Sequence, residues 1–372
     1  MRRMVMNGAA PFLPEEIIIN ILKWLPVKSL MRFRCVCKRW KNLFKTPSFI
    51  ADHLRNSSHH NPSVLFFRTF GLDPSQIRLL DCEMQVRDAL PFDSLGFRHL
   101  SIIGSSNGLL CVAIHENDFP FLLWNPATRD VREVPRSSTI DCYRLGFGFS
   151  SFVNDYKIVA IYRKIGRAGV YSLRRDSWKE IEYGNILDFV TIYRDTRVSS
   201  NGAIFWNGSK RCEEREEGAI ISFDIVKEVF TLIPRPTLQE DSYLYLTVYK
   251  DKLAMLYCGV GASPNIDLWV MEEDIGSSGE RWSWTKKFTG GPCPWTLYFG
   301  GTIWRNEIVM FGTETQDKIG NKEPESGLCL FKLTTNEFEM VVVPNHGSCR
   351  FLNYVESLVP VGNILNIEEP WF

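Results

Sequence analysis

None of the ten cysteines stands in a C-x-x-C pair, so neither a zinc knuckle nor a thioredoxin-like redox site is expected. They lie at 35, 37, 82, 111, 142, 212, 258, 293, 329 and 349, most in apolar contexts such as Leu110-Cys111-Val112, where cysteine serves as a small buried hydrophobe. Histidine is scarce: six in 372 residues, and the adjacent His59-His60 lack the i, i+2 or i, i+4 spacing of metal ligands. No cofactor or metal is therefore expected. There is no G-x-S-x-G elbow and no P-loop, and Gly146-x-Gly148 lacks the third glycine of a dinucleotide site. The acidic runs Glu213-Glu214, Glu216-Glu217 and Glu272-Glu273-Asp274 sit in polar stretches, unlike the environment of paired glycosidase carboxylates. No apolar run reaches 18 residues, which excludes a membrane-spanning helix, and MRRMVMNGAAPFL has no sustained apolar core of a secretory signal. A non-catalytic protein of the reducing cytoplasm or nucleus is the expectation.

Net charge is also lacking, but only in sum. Residues 1–60 carry eleven Lys and Arg against three acids, a charge of +8 that the remainder balances with −8. Within this basic end, 13–44 reads LPEEIIINILKWLPVKSLMRFRCVCKRWKNLF. Pro14 suits a first helical position, with Glu15 and Glu16 at the positive helix end. At about 100° per residue, Glu16, Asn20 and Lys23 share one narrow polar stripe, and isoleucines, leucines and Trp24 cover most of the rest. A surface helix shows one apolar stripe, so this one needs covering on two sides, by its own bundle and by another protein. Pro26 ends the first helix; 27–34 and 36–44 supply a second and a third.

The order L-P-x-E, I-L-x-x-L-P-V-K-S-L and V-C-K-x-W resembles an F-box, of the plant type in particular. The resemblance implies that Leu13, Pro14, Ile17, Ile21, Leu25, Pro26, Leu30, Val36, Cys37 and Trp40 are divided between the bundle core and the groove of a Skp-family protein. That protein would connect the chain to a cullin and a RING subunit in an SCF-type ubiquitin ligase.

The polar stretch 55–62 reads as a linker, placing an F-box domain at 8–54, a β domain at 63–362 and a tail at 363–372. Beyond the linker, helical periodicity gives way to short β-rich runs. Turn residues precede apolar strands at Asn61, Asn107, Asn154, Asn201, Asp251 and Asn306, about every 45–50 residues. Units of that length with four strands are propeller blades, which bury their faces only against one another. The fold class expected is mainly β: a three-helix F-box followed by a β-propeller of about six blades, with 351–361 as a strand pair completing the first blade.

The words SSNGLLCVA, LWNPATRDVREVP, LGFGFSSFVNDYKIVAIY and YVESLVPV resemble the F-box associated domain of plants, a relative of kelch repeats. Trp124-Asn125-Pro126 and Gly146-Phe147-Gly148 need only bland roles: a turn, a core filler, close strand packing. The resemblance implies a substrate-recognition adaptor with a protein substrate and no catalysis of its own. Sialidases and galactose-oxidase-like enzymes also use propellers, and an arginine triad on one face would point to the former. The substrate surface is expected from loops 208–217, 272–281 and 314–327 at one end of the ring, with Lys210, Arg211, Glu214, Glu273, Arg281, Lys318 and Lys322 as its charged contacts. The pairing of this F-box with this β domain resembles S-locus F-box and S-locus F-box-like proteins, which implies an S-ribonuclease substrate in pollen. A scaffold that bridges proteins without ubiquitin, and a nucleic-acid binder using the basic end, remain alternatives.

Overall fold

The computed structural model describes residues 13–68, 77–81, 83, 85–90, 100–114, 121–135, 142–162, 166–212, 215–236, 242–259, 264–273, 282–314, 326–342 and 349–362. Helix α1 runs Glu15–Lys23, α2 Val27–Phe33 and α3 Lys38–Leu43. Pro14 and Pro26 stand at the N-caps of α1 and α2, one residue earlier than a first helical position. Cys37 caps α3, its sulfur accepting from the Trp40 N–H at 3.4 Å, which gives the V-C-K-x-W spacing a local cause.

A fourth helix, α4, spans Pro47–His60 and corrects two expectations: the F-box region is not three helices, and 55–60 is not a linker. Polarity alone argued for a linker there. The overriding signal is helical spacing: Phe49, Ile50, His53 and Ser57 are the buried residues of α4. His53 holds α4 to the end of α1, its Nε2 donating to the Leu25 carbonyl oxygen at 2.9 Å. Burial lowers the His53 pKa, in keeping with a neutral ring in this apolar site.

The remaining described residues form six four-stranded antiparallel sheets. From blade 1 to blade 6 the innermost strands are Cys349–Tyr354, Leu100–Ser106, Cys142–Ser150, Val190–Ser200, Ser242–Tyr249 and Trp295–Trp304. Each touches the next around the circle, so the ring is closed. The middle strands are sandwiched between neighbouring blades. Leu109–Ile114 and Asp155–Tyr162 are buried along their whole length, whereas the outer strand Ser177–Glu182 is largely exposed. Burial on both faces is why these strands read as continuous apolar runs rather than alternations.

The repeat period is right and its phase is one strand late. The turn residues Asn107, Asn154, Asn201, Asp251 and Asn306 all have φ between 47° and 65° and lead from the innermost strand to the second. Asn and Asp tolerate that left-handed conformation. Asn61 differs, with φ −127° at the end of α4, because the innermost strand of its blade arrives from the far end of the chain. Only one strand, Cys349–Tyr354, completes blade 1. Residues 355–361, expected as the rest of a strand pair, form a strap instead.

That strap joins the two domains. Leu358, Val359 and Val361 belong to the apolar cluster that contains Leu22, Val27, Leu30 and Phe49 of the helices and Leu109, Tyr156 and Leu173 of blades 2 and 3. Asn125 is fully buried and saturated. Its Nδ2 donates to the carbonyls of Ser357 (3.0 Å) and Val359 (2.7 Å), and its Oδ1 accepts from the N–H groups of Ala127 (3.0 Å) and Thr128 (3.3 Å). Ser357 Oγ donates to the Asn107 carbonyl oxygen at 2.7 Å. The Trp124-Asn125-Pro126 motif thus does more than turn the chain. Gly146 has the packing role expected of it: a Cβ there would overlap the Trp206 ring, whose Nε1 donates to the neighbouring Leu145 carbonyl oxygen at 2.9 Å.

Glu356 of the strap reaches the start of α2. Burial raises its pKa, opposed by a hydrogen bond from the Val27 N–H and by Lys28. A carboxyl held above its ordinary value keeps its proton longer in the native chain, so its stabilising contribution is present below about pH 4 and is lost as pH rises through the native value. Glu356→Gln keeps an acceptor for Val27 without the titration. Denaturant unfolding should find the variant more stable than the parent at pH 7, with the difference closing near pH 4; a difference independent of pH would refute this assignment.

Candidate functional site

Packing divides the expected F-box residues into two sets. Leu30 is fully buried and belongs to the core, not to a docking surface. Leu25 and Trp40 are half-buried against that same core. Leu13 (53% exposed), Ile17 (45%), Ile21 (49%) and Val36 (62%) stay open, and so do Pro14, Pro26 and Cys37. Trp24, which sequence reasoning did not put in the docking set, is 53% exposed and packs edge-on against His60 with ring centroids 4.4 Å apart. Ile17, Ile21 and Trp24 stand at i, i+4 and i+7 on one face of α1 and its C-cap, with Leu13 just ahead of the N-cap Pro14, and that spacing is the signal for including Trp24. Opposite this face, Leu22 is buried and Ile18 and Ile19 pack on the core. An isolated apolar helix face of this kind marks an interaction surface. Exposed Lys38, Arg39 and Lys41 flank it on α3, with Arg39 paired to Glu15 and, nearby, Lys23 to Asp52 at 2.6 Å.

The propeller has two unlike ends. Strands within a blade run antiparallel in sequence order, so first-to-second and third-to-fourth connections leave at one end, and second-to-third and blade-to-blade connections at the other. At the first end the connections are two to five residues, except 274–281 with eight. This is the end that carries Asn107 and Asn125, hence the strap and the helices. At the second end they run to eleven residues, and nine of the twelve have six or more. The three loops expected to share one surface do not. Loops 208–217 and 314–327 join second to third strands at the loop-rich end, while 272–281 joins a third to a fourth strand at the F-box end. Sequence order alone does not say at which end a loop emerges; strand parity does.

Segment 208–217 is no loop either. Ladder pairs Lys210–Glu217, Arg211–Glu216 and Cys212–Arg215 continue the hairpin almost to its tip, opposite charges facing across the strands. Lys210 and Arg211 are exposed. Glu273 ends the strand Ile266–Glu273 and faces Trp282. Glu214, Arg281, Lys318 and Lys322 lie outside the described residues. An aromatic residue that charge-based reasoning missed stands beside Arg211: Phe189, 76% exposed, whose carbonyl oxygen accepts from the Arg211 N–H at 2.9 Å; the exposed Tyr193 and Tyr243 lie near the starts of their innermost strands, at the same end of the ring. Exposed aromatics with an arginine beside them are the usual composition of a protein-binding hot spot.

The channel wall holds Arg144, Arg197 and Arg350. Arg197 and Arg350 both donate to the Ile102 carbonyl oxygen, at 3.1 and 3.4 Å, and Arg144 Nε to that of Ile192 at 2.8 Å. These bonds tie inner strands together. Among the described residues no three of His, Cys, Asp and Glu gather in a way that could hold a metal ion.

Residues 11–52 match the F-box domain, and residues 79–361 match the F-box associated beta propeller domain. The chain belongs to the F-box associated β-propeller family. It is a plant F-box protein, similar along most of its length to F-box/kelch-repeat proteins of Arabidopsis thaliana. One is 24% identical, covering 91% of this chain and 92% of its own. A second is 24% identical over 94% and 98%, and an Arabidopsis F-box protein is 28% identical over 62% of each. An F-box joined to such a propeller supports a substrate-adaptor role of the general SCF kind, with a Skp-family subunit at one end and a protein substrate at the other.

Proposed function

We propose that this F-box protein is the substrate receptor of an SCF-type cullin–RING ubiquitin ligase, working in the cytoplasm or nucleus. The observation that carries the reading is the open apolar face Leu13, Ile17, Ile21, Trp24 and Val36 on an otherwise well-covered bundle. A Skp-family subunit covers that face and links the chain to cullin and RING subunits. The propeller holds its substrate at the loop-rich end, with Phe189, Tyr193, Tyr243, Lys210 and Arg211 among the contacts, the end turned away from the strap and helices. The chain's contribution to the reaction is proximity: it raises the effective concentration of substrate lysines near a charged ubiquitin-conjugating enzyme and performs no bond-making itself.

The finer reading, from the resemblance to S-locus F-box proteins, is that the substrate is an S-ribonuclease in pollen. Proximity labelling from this chain in pollen and in leaf, with the proteasome blocked, tests both levels. Skp-family, cullin and RING subunits are expected in both tissues, and an S-ribonuclease in pollen. Labelling without a Skp-family subunit overturns the receptor assignment. Labelling with one but with other substrates in pollen overturns only the S-ribonuclease.

A further inference from the structure

The helical bundle does not close completely on the ring. Between them lies a cavity of about 290 Å³. Its apolar walls come from both sides: Met31, Phe44 and Ile50 from the helices, Leu358 and Pro360 from the strap. At its edge stand Arg34 and Lys45 of the bundle and Thr128 and Asp130 of blade 2. Asp130 already accepts from Thr128 Oγ1 at 2.9 Å. Arg34 is half-buried, and the one hydrogen bond of its guanidinium among the described residues goes to the Met31 thioether at 3.5 Å. Sulfur of that kind is a weak acceptor, so a fork of donors with a full positive charge faces the cavity edge without an acceptor to match it.

An apolar chamber with a few convergent polar groups has the character of a small-molecule site, and its volume lies at the lower edge of the roughly 300–1,000 Å³ such sites occupy. The charge at its edge is two cations against one carboxylate. A phosphate dianion would lose its hydration against apolar walls with the Asp130 carboxylate beside it; a single carboxylate matches one guanidinium fork. We propose that this cavity binds a small amphipathic monoanion, its carboxylate on Arg34 and its hydrocarbon body between Met31, Ile50 and Leu358. Its walls belong to two domains, so an occupant binds only their docked arrangement and stabilises it by mass action. The proposal stands apart from the ligase reading, since it concerns the joint and not the docking face.

Calorimetric titration of the full chain with octanoate and with octanamide, equal in length and differing in charge, tests it. Octanoate should bind about tenfold more tightly, the worth of one charge-assisted hydrogen bond. Arg34→Gln should erase that preference and leave octanamide unchanged. Met31→Trp should fill the chamber and remove both. The Ile17→Asp/Ile21→Asp chain, in which the exposed helix face is no longer apolar, should keep the preference. Absence of saturable octanoate binding up to about 10 mM, equal affinity for the two ligands, a preference that survives Arg34→Gln, or one lost with the helix-face substitutions would each overturn the proposal. If Met31→Trp does not fold, the Arg34→Gln comparison still decides.

Discussion

Aspartate at Ile17 and Ile21 together should abolish co-purification of this chain with a Skp-family subunit while leaving its thermal unfolding nearly unchanged. Both residues are about half exposed in the free chain, at i and i+4 of one face. Completing the burial of each is worth about 1–1.5 kcal/mol. Asking that contact to swallow an unpaired carboxylate instead adds several kcal/mol. The sum exceeds about 4 kcal/mol, a factor of at least about 10³ in affinity. Neither side chain is part of the core, so stability should move by no more than about 0.5 kcal/mol. Substituting Leu25 and Pro26 would be a poorer test. Leu25 packs on the core and its carbonyl oxygen accepts from His53, so lost binding could simply report a damaged bundle. Retention of the Skp-family subunit by the Ile17→Asp/Ile21→Asp chain would count against the docking face.

Asn125→Asp should be strongly destabilising, although it changes a single heavy atom. It replaces an NH₂ that serves two carbonyl oxygens with a carboxylate oxygen that repels both, in a fully buried position. Breaking a buried network in this way costs about 3–5 kcal/mol, against the roughly 5–15 kcal/mol that stabilises an ordinary domain. The loss should be local at first: amide hydrogens of 355–361 and of α2 should exchange faster, and limited proteolysis should cut the strap before the blades. Asn125→Ala removes the donors without adding charge and should cost less, about 2–3 kcal/mol. Unaltered exchange in the strap of the aspartate variant would show that Asn125 does not hold it.

The parts of this architecture that are local were legible beforehand. Helices α1 and α2 follow from two prolines and an apolar circumference, and five of the six units follow from turn residues that adopt a left-handed φ. What stayed hidden depends on distance along the chain. Asn125 looks like half of an Asn-Pro turn until residues 357 and 359 arrive, more than 230 positions later, to use its side chain. Residues 55–60 resemble a linker because Ser57, which α4 buries there, and His53 one turn before it are themselves polar. Segment 208–217 reads as a loop because the outer ladder of the hairpin it belongs to is made of paired charges instead of hydrophobes. Of the F-box residues singled out from the sequence, Leu13, Ile17, Ile21 and Val36 are exposed while Leu30 is buried, and the exposed Trp24 was not among them. The common end expected for the three loops fails, since which end of a ring a loop leaves is a matter of counting strands that sequence alone does not number.

The innermost strand of blade 1 and the strap beyond it are synthesised after everything they hold together. While the ribosome is still adding residues before 349, blade 1 lacks its axial strand and the helices lack the strap. Both events then become available within a dozen residues of one another. A chain without residues 349–361 would keep its exposed helix face and lose both the axial strand of blade 1 and the strap against the helices.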